Sequence, residues 1–587
     1  MVKAMLKKES IFEDNLDKFV DLASFVNFYP DLFLDMNAPE EGGIKLHLDQ
    51  RVFLRCATRF FSMYGCFPRG YGKCIVGDSL IYTDNGIKEI GELFDYQNDN
   101  KETIYTHSVN LLNRNGDVVN SNLGIYSGYH PTKKVITCDG YELEGTFVHP
   151  ILVMDEDGEI KFKSLKDVSV GDYAIISRKN NLFGNITNID KEKELREWCG
   201  SLSKQSLSHL NIRSMPKDIN ENIALLIGFL VGDGCLTMDN AVMFSNIDPD
   251  ILHCFNKTME DEFSAKIISL PKTCDFRIND KYLRKYLEFI GLGYEKAHEK
   301  YVPKIILNSP KNIQKYFLRG LFDTDGTVDS RLLSFCSASK KMILQVQTML
   351  LNFGIITHLS SRVSKKGVTS YILAISGNDI PIFYNEIGFT CKRKQERLEL
   401  LVSKKRNTNK DIIPFQKEKI KNLYDSLKTK NPCLDRLLGH YLYDRCNLTY
   451  RSLEQILGLN GFNEHELSEH FTGINNARYY YSKISSISDG QAHVYDFHVP
   501  DTHSFVSNGF VSHNTFDEVL AMFIVCIRYP NIELSLTAQT KENASLLLKD
   551  KYNEIVRYYP FFENEIIKTG FSKNDALILF KNGARID

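Results

Sequence analysis

The sequence predicts a multidomain α+β protein: an all-β body, interrupted by an internally duplicated mixed body and flanked by two pieces of an α/β fold. Three observations lead there. At Cys74 the chain turns from helical spacing to short alternating strands punctuated by Asn-Gly and Asp-Gly turns. Two apolar helical segments ending in Asp-Gly, residues 226–234 and 318–326, align in full, and later landmarks recur at a similar offset. Deleting residues 74–514 would also bring Thr515 against Lys73 and complete Phe67-Pro68-Arg69-Gly70-Tyr71-Gly72-Lys73-Thr515. That run has the backbone cradle, lysine and hydroxyl of a phosphate-binding loop.

Composition sets the outer limits. A chain of 587 residues is too long for one core, and 43% hydrophobic with 25% charged residues is ordinary folded-protein usage. A net charge of −2 offers no global attraction for nucleic acid, so any DNA contact must come from local basic faces. The thirteen cysteines include no CxxC pair. Neither a signal peptide nor a run of about 18 apolar residues is present. A reducing cytosol with no membrane partner is the expectation, and it suits a cysteine that must stay a free thiol.

Taken in order, residues 1–73 read as amphipathic helices, 48–63 among them, ending in the partial phosphate loop. The first Gly of GxxxxGK(S/T) is missing there, because Phe67 occupies its place. From Cys74, turns are expected at Asn85-Gly86, Asn115-Gly116, Asp139-Gly140 and Asp157-Gly158, with Thr146-Phe147-Val148-His149 between two of them. After the duplicated segments, residues 391–431 carry Lys392, Arg393, Lys394, Lys404, Lys405 and Arg406. Residues 437–459 read as helix, 448–459 with helix-turn-helix spacing. Asp489-Gly490 reads as a turn. Strand-like sequence then leads through Asp496, His503 and Asn508-Gly509 to His513-Asn514. Residues 516–529 are predicted helix, 532–537 strand and 538–544 the opening of a long helix; no apolar strand ending in Asp-Glu follows.

Two residues can rearrange the peptide bonds beside them. Cys74 reaches the Lys73 carbonyl through a five-membered ring and can convert the amide to a thioester, open to the Thr515 hydroxyl. Asn514 can close on its own carbonyl as a succinimide, breaking the chain before Thr515. Together these are the elements of protein splicing. The CxxGD start, the TxxH motif and the 495–499, 503–505 and 508–514 segments resemble inteins, in the family's order. The resemblance implies a horseshoe-shaped all-β splicing fold. By position, Thr146 and His149 would strain and protonate the Lys73–Cys74 amide, Asp496 would assist the branching steps, and His503 with His513 would promote Asn514 cyclisation. No cofactor is implied for splicing.

The duplicated segments resemble LAGLIDADG homing endonucleases, whose single-chain members fold two αββαββα halves about a pseudo-twofold axis. Gly228 and Gly320 would let two helices approach, setting Asp233 and Asp325 side by side as a magnesium site. The sixth motif position differs, Val231 against Asp323. Lys300 and Lys394 fall where the family keeps lysines near the carboxylates. A monomeric enzyme cutting double-stranded DNA at the uninterrupted host-gene junction is implied.

The joined phosphate loop, with Arg69, Gly70, Gly72, Lys73 and Thr515, resembles that of phage terminase large subunits. That implies ATP with magnesium as ligand of the complete spliced protein, and phage DNA and packaging machinery as its partners. The expected organisation is a flank at 1–73, splicing segments at 74–195 and 476–514, the endonuclease at 196–402, an accessory DNA-binding segment at 403–475, and a truncated ATPase flank at 515–587. Two alternatives stay open at this point: a precursor that no longer splices but keeps the nuclease, and a terminase motor fragment.

Overall fold

The computed structural model describes residues 73–94, 103–404 apart from 179, 239, 271–272, 294 and 366, then 411–427, 434–442, 447–499 and 503–513. It also describes 517–587 apart from 537–544, 546–547, 550, 554, 557–558 and 573–574, and isolated residues 29, 32, 51 and 55. The expected helix 48–63, the phosphate-loop residues Arg69, Gly70 and Gly72, the junction residues Asn514 and Thr515, and the helix opening at 538–544 lie outside the described residues.

A 12-stranded sheet is woven from both sides of the duplicated body. Its spine is the antiparallel pair of long strands Val118–Thr137 and Tyr480–His498, paired from Ile484 opposite Thr137 to His498 opposite Leu123 with register shifts at 484–486 and 494–495. The first strand, Ile75–Val76, inserts between Val494–Tyr495 and Gly145. The last hairpin, Ser504–Ser507 with Phe510–His513, closes through Asn508 at φ 49 and Gly509 at φ 88. Two successive positive φ values are what a two-residue hairpin turn requires, and Asn-Gly meets them at least strain. Alternation along these strands buries Ile75, Tyr126, Leu143, Ile151, Phe497, Phe505 and Phe510 in one core.

Gly116, Gly140 and Gly158 sit at positive φ in turns, as the sequence suggests. Asp489-Gly490 does not turn. It lies inside the long strand, Gly490 opposite Thr132, where a Cβ would come within 2.7 Å of Glu144 Oε1. Glycine is there for close approach between strands.

The duplicated body repeats one order of elements twice. Helix Glu221–Asp233, strands Gly234–Cys235 and Val242–Ser245, helix Pro249–Phe263, strands Ile268–Ser269 and Asp275–Ile278, and helix Lys281–Phe289 form the first half. Helix Lys311–Asp325, strands Gly326–Val328 and Leu333–Ser337, helix Lys340–Asn352, strands His358–Val363 and Thr369–Ile375, and helix Asp379–Glu386 form the second. Each half has a four-stranded sheet of matching order. The two leading helices meet between the halves, and nine residues of the first are buried, Ile223 through Val231. The body shares a continuous core with the 12-stranded sheet, in which Tyr82, Val506 and Val511 join the same cluster as Val346 and Leu350.

Residues 437–459 are not one helix. Helix Leu434–Leu442 is followed by Leu448–Thr449, which pairs with Ile412–Ile413, and a new helix Tyr450–Leu457 begins where the Thr449 hydroxyl accepts the Ser452 N–H. That cap gives the helix its own start and the strand pairing stops the earlier one from continuing. The segment docks on the 12-stranded sheet: Gln416 donates to the Gly158 carbonyl at 3.0 Å, and Arg178 makes a two-pronged ion pair with Asp411 at 2.8 and 3.0 Å. Residues 515–587 contain helix Asp517–Arg528 and a four-stranded sheet with a separate core around Phe523, Phe562, Ile578 and Ile586. Among the described residues of the predicted strand at 532–537, Glu533–Leu534 form a strand, parallel to Arg585–Ile586.

Candidate active sites

The Lys73–Cys74 peptide bond is buried and gripped from both sides. Cys74 N–H donates to Thr146 Oγ1 at 3.2 Å, and Thr146 N–H donates back to the Cys74 carbonyl at 2.9 Å. His149 Nδ1 lies 2.8 Å from the Lys73 carbonyl oxygen. The TxxH stretch is a tight turn closed by His149 N–H on the Thr146 carbonyl, so both side chains reach the same bond. The histidine thus faces the carbonyl oxygen of that bond, and its amide N–H belongs to Thr146. Burial pushes the His149 imidazole down to about 4, so it is neutral at physiological pH. Cys74 Sγ is 3.2 Å from Ser127 Oγ. Ser127 is the extra residue of a bulge in the long ladder, Val494 standing opposite Gly128 and Tyr495 opposite Tyr126, and bulges re-aim side chains.

At the other end, His513 and His503 stand with ring centroids 5.8 Å apart, both at the open end of one hairpin, and His513 also packs edge-on to Phe162 at 4.7 Å. His503 adopts φ 46 and is buried; burial, then the charge of Lys551, holds its ring neutral far below the usual histidine range. Asp496 is buried opposite Ile125 and accepts the Phe497 N–H at 2.9 Å. Burial raises its carboxyl well above the ordinary range although the Phe497 N–H, Lys73 and Lys551 oppose this. Lys551 is a buried residue of the C-terminal flank that no local motif singles out.

In the duplicated body, a Cβ at Gly228 would stand 2.4 Å from the Phe317 carbonyl, and one at Gly320 would stand 2.3 Å from that of Leu225. Only glycine allows the two helices this close. Their C-terminal residues, Asp233 and Asp325, consequently interact. Burial raises both carboxyls, Asp325 to about 6, with Asp233 the next contributor, while Lys300 and Lys394 lower them. Asn246 donates to Asp233 Oδ2 at 2.7 Å. Lys300 caps the first helix through the carbonyls of Val231 and Gly232 at 2.6 and 2.7 Å, and Lys394 caps the second through those of Phe322, Thr324 and Gly326 at 3.2, 3.3 and 2.7 Å. These lysines are tied to helix ends that carry partial negative charge, and they are not the freely solvated surface charges that a charge run usually supplies.

Two half-buried carboxylates that repel each other suit a divalent cation. Among the described residues no three His, Cys, Asp or Glu side chains converge, so waters or phosphate oxygens would complete the shell. The odd sixth residue, Asp323, plays a structural part, accepting the N–H groups of Thr390 and Cys391 at 3.0 Å each and anchoring the start of helix Lys392–Ser403. Of the basic run, Lys392 and Arg393 pair with Asp250 and Asp248, and Lys404 donates to the Ser330 carbonyl; Lys405 and Arg406 lie outside the described residues.

A family model described as the intein splicing domain matches residues 80–514. The chain is 29% identical over 402 residues to replication factor C small subunit of Methanocaldococcus jannaschii, covering 66% of this chain and 20% of that protein. It is 25% identical over 471 residues to a DNA gyrase subunit of Mycobacterium kansasii, covering 76% of this chain and 78% of that protein. The chain thus spans a fifth of the first relative. Similar solved structures include the homing endonuclease I-DmoI in complex with DNA and Mn, at 20% identity and TM-score 0.23, covering 28% of this chain and 96% of that one. The TvoVMA intein is similar at 20% identity and TM-score 0.16, covering 18% of this chain and 71% of that one. Among the described residues no helix is long and apolar enough to cross a membrane.

Proposed function

The chain belongs to the intein splicing domain family, and on that premise we propose that it excises its own residues 74–514 and joins Lys73 to Thr515. Cys74 Sγ attacks the Lys73 carbonyl carbon; the C–N bond breaks, the thiol proton passes to the departing Cys74 amine, and a thioester remains. His149 holds the charge that gathers on the carbonyl oxygen as the carbon becomes tetrahedral, while Thr146 fixes the amide N–H. The Thr515 hydroxyl then displaces the thiol, which takes up the hydroxyl proton, with the buried Asp496 assisting this branching step. Asn514 closes to a succinimide with His503 and His513 as promoters, freeing the Thr515 amine to take the acyl group as an amide.

The observation that carries this reading is one peptide bond held on its oxygen by His149 at 2.8 Å and on its nitrogen by Thr146 at 3.2 Å. Holding groups at near-attack geometry is worth about 7 to 11 kcal/mol. On a denaturing gel the precursor should yield the excised insert and the ligated flanks. Cys74→Ala combined with Asn514→Ala should leave only full-length chain, and unchanged processing would discard these ends. A reducing compartment such as the cytosol suits the free Cys74 thiol.

We infer that the duplicated body is a monomeric, site-specific endonuclease for double-stranded DNA carrying the uninterrupted host junction. Asp233 and Asp325 would hold magnesium, which when bound supplies an activated water and charge neutralisation at the leaving oxygen. Lys300 and Lys394 steady the helix ends that present the carboxylates. Support comes from the two matched halves and the carboxylate pair. Asp233→Asn should abolish magnesium-dependent cutting of junction DNA, and a cutting variant would refute the site. For the flanks, we infer part of a terminase-type ATPase, which as the complete spliced protein would bind ATP with magnesium and act with phage DNA and the packaging machinery. This rests on residues 67–73 with Thr515 alone. Nucleotide binding by the ligated flanks that survives Lys73→Ala would overturn it.

A further inference from the structure

His149 has a second partner. Its Nε2 lies 3.0 Å from the hydroxyl oxygen of Ser512, which is fully buried on the closing strand Phe510–His513. Ser512 stands opposite Ile151, two residues beyond His149, and opposite Phe505 within the hairpin, so its place is set by two ladders at once.

The protons in this chain of contacts can be assigned from donor and acceptor inventories alone. A carbonyl oxygen only accepts, so Nδ1 must carry the hydrogen that bonds the Lys73 oxygen. A neutral imidazole then has a lone pair at Nε2, which only accepts, so the Ser512 hydroxyl must donate. The order is Ser512 O–H to Nε2, then Nδ1–H to the Lys73 carbonyl.

We propose that Ser512 is a positioning residue for the first splicing step: by donating to Nε2 it fixes the tautomer in which His149 presents Nδ1–H to the Lys73 carbonyl oxygen. The consequence reaches further than one ring. Ser512 lies two residues before Asn514, on the strand that delivers the C-terminal junction. The N-terminal bond is therefore activated only when that strand is docked, and a chain whose end has not closed cannot form the thioester prematurely. This inference rests on the assignment of His149 and Cys74 made above, and its test separates the two.

The experiment uses full-length precursor carrying Asn514→Ala, which stops before release of the C-terminal flank, and follows thiol-induced cleavage at Lys73–Cys74. Ser512→Ala should slow cleavage about tenfold or more, the effect of leaving a buried acceptor unmatched. Nitrogen-15 spectra of the imidazole should show the Nδ1–H tautomer in the parent and a mixture in Ser512→Ala. Ser512→Thr, which keeps the hydroxyl, should restore both rate and tautomer. Cleavage of Ser512→Ala at the parent rate, or an unchanged tautomer in it, overturns the inference. Slow cleavage in both variants with the parent tautomer in each would reduce Ser512 to packing and also overturn it. A parent that does not cleave although its His149 shows the Nδ1–H tautomer would count instead against the assignment of the splicing residues.

Discussion

At the scale of single residues, the proposed splicing centre keeps its titratable groups out of water. His149 and His503 are held neutral and the Asp496 carboxyl is pushed well above its ordinary range, each for the same reason, that burial penalises the charged form. Such choices make stability depend on pH. The folded His149 binds a proton only near about 4 while the unfolded side chain does so near 6.5, so the unfolded chain holds more protons between those values. Stability should therefore fall as pH drops from about 6.5 toward about 4, and His149→Gln should flatten that part of the profile in urea titrations of a Cys74→Ala precursor. His149→Ala should also slow thiol-induced cleavage by about a hundredfold or more, the usual loss of a donor aimed at a developing oxyanion, read from gel time courses. Asp325 behaves oppositely: its raised value, about 6, means the native state holds the extra proton, so stability should decline as pH rises from 3.8 through about 6. Magnesium should restore what is lost, raising the thermal midpoint above about pH 6 and doing little below about pH 5, and Asp325→Asn should abolish this difference.

Elements decide which of these groups can meet. The two leading helices touch backbone to backbone at Gly228 and Gly320, so Gly320→Ala should cost about 1 to 3 kcal/mol in denaturant unfolding and slow DNA cutting, while cleavage at Lys73–Cys74 continues. The helix pair and its carboxylates are legible in the sequence because a motif of nine consecutive residues occurs twice, at 226–234 and 318–326. Thr146 and His149 are legible for a related reason, since one tight turn holds both. Ser127 and Ser512 are not. Their positions depend on a bulge and on strand neighbours drawn from distant parts of the chain, and period-2 sequence carries no mark of register. The same blindness makes Asp489-Gly490 read as a turn when the strand runs straight through it, and makes 437–459 read as one helix when a strand pairing divides it.

At the scale of the whole molecule, two chemistries share a core without sharing a reagent. Lys340 reaches Glu142 at 2.8 Å and Lys341 reaches Glu89 at 2.7 Å across the boundary, and Tyr82 donates to the Thr348 carbonyl at 3.1 Å. Yet the splicing residues need no metal in the inferred mechanism, whereas the carboxylate pair does. Chelation with EDTA should therefore stop DNA cutting and leave precursor conversion on the gel unchanged, and loss of conversion would show that the inserted body controls the outer one. The α+β class and the alternation of strand-rich and duplicated segments follow from local pattern. The docking of the 411–477 segment on the 155–159 turn follows only from tertiary packing, through contacts such as Lys419 with Glu159 at 2.7 Å.

The long ladder between Val118–Thr137 and Tyr480–His498 also sets a timetable for synthesis. A ribosome extends its product by roughly 5 to 20 residues per second, so the earlier strand emerges on the order of tens of seconds before the strand it must pair with. Throughout that interval its edge is open to other nascent chains, and the two-halved body between them has time to fold completely on its own. Slowing elongation should lengthen the exposure and lower the yield of joined product, which makes translation rate, and not catalysis alone, a determinant of how much host protein is recovered.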